Sequence, residues 1–388
     1  MPYVAPSTVS AGQTYASASH NIIVNDIIDH ESRLLTVQNT QYPYRNVLIN
    51  GAMQIAQRGT SVSGITSSGS PQTADRWRLD ISNAGTWTSA VSADAPTGSG
   101  FRNSHRLTCS ASAAISSSGY VFMQQKLEGQ TLQHIKKGTS SAQQLTLSFW
   151  VKGSTTGTYI AQLFDNNNTR SVSAAYTINA ADTWEQKAIT FPADTTGVFV
   201  NDSNDSLDLL LYLAAGTDRT SGTLATSWGA SVSANNAVGQ TNLASAANRY
   251  LAVTGVQLEP GAVASPYEFV LYQDELRRCQ RYYYRVSSSA SEAYSIFGSG
   301  LVTSATQALI PFNTKVTMRS VQPLVESYAN LRLDDGGVTV AVTNMVGGNR
   351  NENVIELACT SSTLTTGRAA ILRANNSTAA FIGISAEL

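Results

Sequence analysis

The chain has 388 residues, of which 42% are hydrophobic and only 13% are charged, and its formal net charge is −1. This length predicts two or three domains. The balanced charge excludes the basic surface of a nucleic-acid-binding protein, and the absence of an apolar run near about 20 residues argues against membrane insertion. Cys109, Cys279 and Cys359 are odd in number and far apart. We therefore expect buried free thiols and neither a disulfide framework nor a zinc site.

Residues 1–45 predict an extended arm followed by a short α-helix. The arm is rich in Ser, Thr, Ala and Gly, and the segment after it has an apolar repeat with steps of four and three. The repeat consists of Ile23, Ile27, Leu34 and Val37, with His30 at the missing step. This spacing is typical of a coiled-coil seam, so we expect an oligomerising anchor. The alternative is a helix that packs against the chain's own β-domain.

From residue 46 the pattern changes to β-strands. In LTLSFWVKG, 145–153, leucine, phenylalanine and valine alternate with Thr146, Ser148, Trp150 and Lys152. In SLDLLLYLAAG, 206–216, Leu207, Leu209, Leu211 and Leu213 share one face, while Asp208, Leu210, Tyr212 and Ala214 share the other. Alternation with period two and frequent turn clusters predict a β-sandwich or jelly roll over 46–275.

A charged, tyrosine-rich segment at 272–285 marks the predicted start of a second β-domain, 276–388. This segment is predicted to form either a short helical turn or the entry strand of that domain. Alternation places Tyr282 and Tyr284 on one face and Tyr283 on the other, which favours a strand buried on both sides. The last apolar run, FIGIS, predicts a final strand that belongs to a sheet. The predicted fold is therefore mainly β.

Six segments, in order and in register, resemble one family. They are NVLINGAMQIAQRGTS (46–61), ADRW (74–77), LTLSFWVKG (145–153), VTGVQLEPGAVASPYEF (253–269), LRRCQRYYYR (276–285) and FIGISAEL (381–388). Together they resemble phage tail-fibre and virion-appendage proteins, particularly those of short-tailed phages of aquatic bacteria. The resemblance implies a jelly roll similar to carbohydrate-binding modules, a β-rich C-terminal domain and a homotrimer on the virion. It also implies that residues 1–45 attach the fibre to other virion proteins, and that the protein is made in the host cytoplasm.

Exposed aromatic rings are the natural candidates for a sugar site, since pyranose C–H faces stack on them. Trp87 and Trp228 lie in Ser/Thr/Gly-rich segments and are expected to be exposed, the alternative being that they pack over the edge of the sandwich. Trp150 and Tyr212 lie on the non-leucine faces of their strands, and we expect them to share one open sheet face. Gln162 and Asp208 are the candidate polar partners on this face. The alternative is that a loop or a partner chain covers it.

The sequence carries no motif typical of an enzyme or a cofactor site. The enzymatic alternative is a depolymerase tailspike, since two carboxylates suffice for glycoside hydrolysis, but such enzymes usually have long parallel β-helices with repeats, which this sequence lacks. Its four histidines have no metal-ligand spacing, and no nucleophile elbow or phosphate-binding loop occurs. The segment NDSNDSLD, 201–208, has oxygen ligands suited to a structural calcium, but such clusters are typical of turns, and no cofactor is expected. The predicted function is a virion fibre that recognises a host-surface glycan. The alternative is an architectural head fibre, decoration or connector protein that binds no glycan.

Overall fold

The computed structural model describes residues 44–388. Residues 46–388 form one compact unit, and the predicted anchor helix with Ile23, Ile27, His30, Leu34 and Val37 lies outside the described residues. The described part is built almost entirely from antiparallel β-strands, which confirms the prediction of a mainly β fold. Neither of its two α-helices has the length and apolar character that crossing a membrane requires.

Two six-stranded sheets form a β-sandwich with a jelly-roll-like strand order. The first sheet has the order β1 (Ser61–Ile65), β3 (Thr86–Ser92), β4 (Ser104–Ala111), β12 (Tyr250–Pro260), β6 (Leu145–Gly153) and β9 (Glu185–Phe191). The second has the order β11 (Gly229–Ala230), β8 (Arg170–Ile178), β7 (Gly157–Asp165), β10 (Asp205–Ala215), β5 (Tyr120–Glu128) and β2 (Arg78–Ser82).

The sandwich core comes from the alternation that the sequence shows. On β6, Leu147, Phe149 and Val151 are buried in it, and on β10 the four leucines at 207, 209, 211 and 213 are buried in it. Ala214 was predicted on the opposite face but also joins this core, because a register irregularity between Tyr212 and Ala214 turns it inward. A β-bulge has this effect since it adds one residue to one strand of a pair.

Short helices connect these strands to each other and to the C-terminal part of the unit. Helix α1 spans Thr217–Thr220, helix α2 spans Tyr272–Gln280, and 3₁₀ turns lie at Gly129–Thr131, Gln133–Ile135, Ser233–Asn235 and Leu243–Ser245. Helix α2 covers the predicted domain boundary at 275/276, and the strand β13 (Tyr283–Ser287) follows it. The charged segment is therefore a helix and an entry strand in succession. The division into domains at 275/276 stays a prediction.

Two further sheets enclose a second core. The third sheet has the order β13, β22 (Phe381–Ser385) and β16 (Leu324–Ala329). The fourth has the order β18 (Thr339–Ala341), β17 (Leu331–Asp334), β21 (Ala369–Ala374), β14 (Ile296–Ser304), β15 (Gln307–Asn313), β20 (Val354–Thr360) and β19 (Asn344–Arg350). Strand β22 is central in its sheet, which confirms that the final apolar run is paired.

Buried charges and tyrosines join the sandwich to this C-terminal part. Glu128, at the end of β5, accepts two hydrogen bonds from Arg281, at 2.8 and 2.9 Å, and one from the Tyr282 hydroxyl. The Arg76 guanidinium lies over the Tyr282 ring and pairs with Glu387. Tyr282, Tyr283 and Tyr284 are all buried, as predicted. The three cysteines are also buried free thiols, as predicted.

Candidate functional site

The structure places Trp150 and Tyr212 on different sheets, so the prediction that they share one open face is wrong. Trp150 lies on β6 in the first sheet, and Tyr212 lies on β10 in the second. Their outer faces lie on opposite sides of the sandwich, because each is the face turned away from the common core. Strand alternation assigns a residue to a face of its own strand, but it does not reveal to which sheet that strand belongs.

Trp87 is a core residue, which corrects its predicted exposure. It lies on β3 opposite Cys109, is 0% exposed, and donates a hydrogen bond from Nε1 to the carbonyl of Ala84 at 2.8 Å. Trp228 lies in the loop between α1 and β11, half-buried against the sandwich core, with its Nε1 donating to Pro192 at 2.9 Å. Neither indole lies on an open sheet face.

The outer face of the second sheet brings Tyr212, Gln162 and Asp208 together. Cross-strand pairing aligns its side chains in rows, since directly opposite residues of antiparallel strands are neighbours. The three rows are Lys126–Asp208–Phe164–Ser171, Arg78–Gln124–Leu210–Gln162–Ser173 and Asp80–Phe122–Tyr212. The sequence analysis missed four neighbours of the predicted site residues on this face, which are Arg78, Gln124, Lys126 and Phe164.

A loop that runs from α1 to β12 covers one part of this face. Leu224 and Ala237 of the loop pack with Phe122 and Tyr212 in a small apolar cluster. Tyr212 is 1% exposed, and its hydroxyl donates to Gln162 Oε1 at 3.0 Å. The loop therefore closes Tyr212 and Gln162 off from solvent, which is the predicted alternative of a covered face.

The other part of the face is more open, and we call its five residues the polar patch. They are Arg78, Gln124, Lys126, Phe164 and Asp208. Arg78, Lys126 and the Phe164 ring are half-buried, and Gln124 and Asp208 are buried between them. The patch combines a half-buried aromatic ring, two cations that pair with Asp80 and Asp205, and two hydrogen-bonding side chains.

Three buried polar atoms of the patch lack hydrogen-bond partners. Gln124 Nε2 donates to Asp208 Oδ2 at 2.8 Å, but Gln124 Oε1, Asp208 Oδ1 and Arg78 Nε have no hydrogen-bond partner of normal geometry among residues 44–388. The side chains of Asp205 and Asn166 lie close to the Asp208 carboxyl. Buried polar atoms are usually satisfied, so these unpartnered atoms are free to bond the hydroxyls of a ligand. Burial, and after it the negative charge of Asp205, raise the pKa of Asp208 above its ordinary value of 3.8.

This raised pKa predicts a specific dependence of stability on pH. Above about pH 4 the unfolded chain releases the Asp208 proton, whereas the folded chain keeps it, so the free energy of unfolding falls as pH rises. The fall ends once the pH passes the folded-state pKa. We expect Asp208→Asn to make this decline shallower in urea unfolding between about pH 4 and about pH 8. Asp218→Asn, which removes an exposed carboxylate from α1, controls for the charge change; equal slopes for Asp208→Asn and wild type would contradict the assignment.

The half-buried Trp150 has different surroundings. On the same face of the first sheet, Lys152 pairs with Asp94 at 2.9 Å, and Trp184 donates from Nε1 to the same carboxylate at 3.1 Å. These polar groups bond each other. Trp150 is therefore a separate candidate, with the unpartnered hydroxyl of Thr254 directly opposite it on β12.

Two carboxylates of the predicted calcium segment have partners within the chain. Asp202 accepts hydrogen bonds from Asn204, and Asp205 pairs with Lys126. Within residues 44–388, no three His, Cys, Asp or Glu side chains are grouped as a metal site requires.

Comparison with known proteins finds similarity among solved structures alone, since no family model and no curated protein matches the chain. The enzymatically active domain of tailspike protein 4 from bacteriophage CBA120 has 15% identity and a TM-score of 0.32. That match covers 56% of this chain and 22% of that chain, so this chain spans about a fifth of the tailspike domain's length.

Two carbohydrate-binding modules are also similar. TmCBM61, solved in complex with β-1,4-galactotriose, has 11% identity and a TM-score of 0.28, over 56% of this chain and 99% of that chain. The family 11 module from Clostridium thermocellum, in complex with a β-1,3-1,4-mixed-linked tetrasaccharide, has 11% identity and a TM-score of 0.27. It covers 53% of this chain and 98% of that chain. The solved structures similar to this chain thus include carbohydrate-binding modules and a phage tailspike domain.

Proposed function

We propose that this chain is a non-enzymatic subunit of a phage virion fibre that binds a host-surface glycan on the polar patch. The observation that carries the proposal is the half-buried Phe164 ring beside the unpartnered Gln124 Oε1 and Asp208 Oδ1. An aromatic surface next to a few orienting polar groups is the usual construction of a site for a small polar ligand. The ring would stack on a sugar face, and the polar atoms would bond its hydroxyls.

The virion role rests on the sequence segments that resemble tail-fibre and appendage proteins. In this proposal, residues 1–45 hold the chain on other virion proteins, and three identical chains present three copies of the patch. Three weak sites acting together give useful avidity when they engage one surface at the same time. The mass of the purified oligomer tests this part of the proposal.

The first experiment is a glycan array probed with the full-length chain, followed by titration of the strongest-binding oligosaccharide. We expect Phe164→Ala to weaken that binding about tenfold or more, because removing a central aromatic contact typically costs more than ~1 kcal/mol. Tyr272→Ala is the matched control, since it removes an exposed aromatic ring from α2, outside the patch.

Three results would count against the proposed site. Wild-type glycan affinity in Phe164→Ala would exclude the polar patch as the glycan-binding site. A loss of binding in Trp150→Ala alone would place the site on the first sheet instead. Release of new reducing ends from the bound glycan would contradict the non-enzymatic role.

The second candidate function is purely architectural, and an exposed apolar row on the fourth sheet favours it. Leu301 and Val346 are 51% and 50% exposed, and cross-strand pairing links them through Leu309 and Ala358. Such a surface suits contact with another copy of this chain. A purified protein that has the mass of a trimer but binds no glycan on the array would favour this second function.

A further inference from the structure

A separate cavity lies at one end of the sandwich, outside the polar patch. Its volume is about 320 Å³, and its walls include Leu132, Gln133, Lys136, Ser141, Val198 and Phe199. It is bounded by the 3₁₀ turns that follow β5 and by the segment that precedes β10. This volume is at the lower end of the ~300–1,000 Å³ that small-molecule sites occupy, so the cavity suits one small ring better than a long chain.

The wall formed by residues 196–199 is held in place by the buried Lys137 and the exposed Asn168. Lys137 donates from Nζ to the carbonyls of Thr196 and Gly197, at 3.1 and 2.9 Å, and Asn168 donates from Nδ2 to the carbonyl of Val198 at 3.1 Å. Val198 is nevertheless 59% exposed. A wall that is already ordered lowers the entropic cost of ligand binding, so these bonds preorganise the cavity.

The free polar groups around the cavity define the charge of its ligand. Lys137 is neutralised by Asp165 and Asp194, whereas the exposed Lys136 ammonium has no ion-pair partner among residues 44–388. Gln133 Oε1 and the Ser141 hydroxyl also make no hydrogen bond within the described part of the chain. One uncompensated cation, one acceptor and one hydroxyl therefore stand beside the apolar Val198 and Phe199.

We propose that this cavity binds a single sugar ring that carries a carboxylate, that is, a uronic acid. Lys136 pairs with the carboxylate in a charge-assisted hydrogen bond, the stronger class of hydrogen bond in proteins. Gln133 and Ser141 bond ring hydroxyls, while Val198, the exposed apolar side chain of the wall, contacts the C–H face of the ring. The inference concerns a site distinct from the polar patch and does not depend on Phe164.

The test is titration of the full chain with D-glucuronate and D-galacturonate, followed by NMR or calorimetry, with D-glucose and D-galactose as neutral counterparts. We expect saturable binding of at least one uronate and about tenfold weaker binding of its neutral counterpart, as the loss of one charged hydrogen bond implies. Lys136→Asn is expected to weaken uronate binding by about the same factor. Asparagine suits this position because Lys136 has φ 56°, a left-handed conformation that asparagine tolerates.

Matched variants make the result specific. Lys136→Arg keeps the charge and should retain uronate binding, and Lys315→Asn, which removes another exposed lysine, should leave it unchanged. Phe164→Ala should also leave it unchanged, which separates this site from the polar patch. The inference is overturned if neither uronate binds saturably, if neutral sugars bind equally well, or if Lys136→Asn binds like wild type.

Discussion

Replacing Trp87 with alanine is expected to lower the free energy of unfolding by about 3–5 kcal/mol, the usual cost of truncating a fully buried aromatic side chain. Trp87 is 0% exposed in the sandwich core, and its Nε1 donates to the carbonyl of Ala84. The substitution leaves a cavity and an unpartnered carbonyl, because the close-packed surroundings collapse only in part. Urea unfolding followed by circular dichroism measures the effect.

Trp228→Ala is the control for this prediction. Trp228 is half-buried, so part of its indole surface remains in water, and we expect a clearly smaller loss of stability than at Trp87. An equal loss at both positions, or a loss below about 1 kcal/mol at Trp87, would contradict the core assignment.

Replacing Lys137 with methionine is expected to lower the free energy of unfolding by a similar amount, about 3–5 kcal/mol. The Lys137 side chain is buried and pairs with Asp165 and Asp194, whose carboxylates are buried as well. Asp194 keeps Arg170 as a partner at 2.9 Å, but Asp165 loses its only cation within the described chain. The cost arises because an uncompensated charge remains in a poorly hydrated site.

The double variant Lys137→Met with Asp165→Asn tests whether the uncompensated Asp165 charge causes the loss of stability. Removing the stranded charge should recover most of the lost stability, because a buried ion pair is replaced by neutral groups of similar size. If the double variant is as unstable as Lys137→Met, loss of the hydrogen bonds to the carbonyls of Thr196 and Gly197 is the cause instead.

The sequence alone was sufficient to predict which residues of a strand face the core, because alternation with period two is a local property. The burial of Leu147, Phe149 and Val151 on β6, and of the four leucines on β10, follows from it directly. The three consecutive tyrosines are also buried as predicted, although only Tyr283 and Tyr284 lie on a strand and Tyr282 precedes it. The same reasoning failed at Ala214, where a bulge interrupts the alternation, and at Trp87, where a Ser/Thr-rich strand looked like a loop.

The candidate site was only partly predictable. Asp208, Gln162 and Tyr212 were expected on an outer face and do lie together on one, whereas Gln124 and Phe164 were missed. Gln124 bonds Asp208 across 84 residues of sequence, and no local pattern specifies such a pairing. The proposed virion role, trimer and glycan remain proposals that rest on the resemblance and on the polar patch.

By itself, the sequence determined the mainly β class, the inward-facing residues of the long strands and the buried state of the cysteines. Only the tertiary structure decided which strands are neighbours, and therefore that Trp150 and Tyr212 lie on opposite sides of the sandwich. It also decided that the loop between α1 and β12 buries Tyr212, whereas Phe164, at the edge of the same apolar cluster, stays half-buried. The physical reason is that side-chain alternation is set within each strand, whereas pairing and loop packing depend on contacts between segments far apart in the chain.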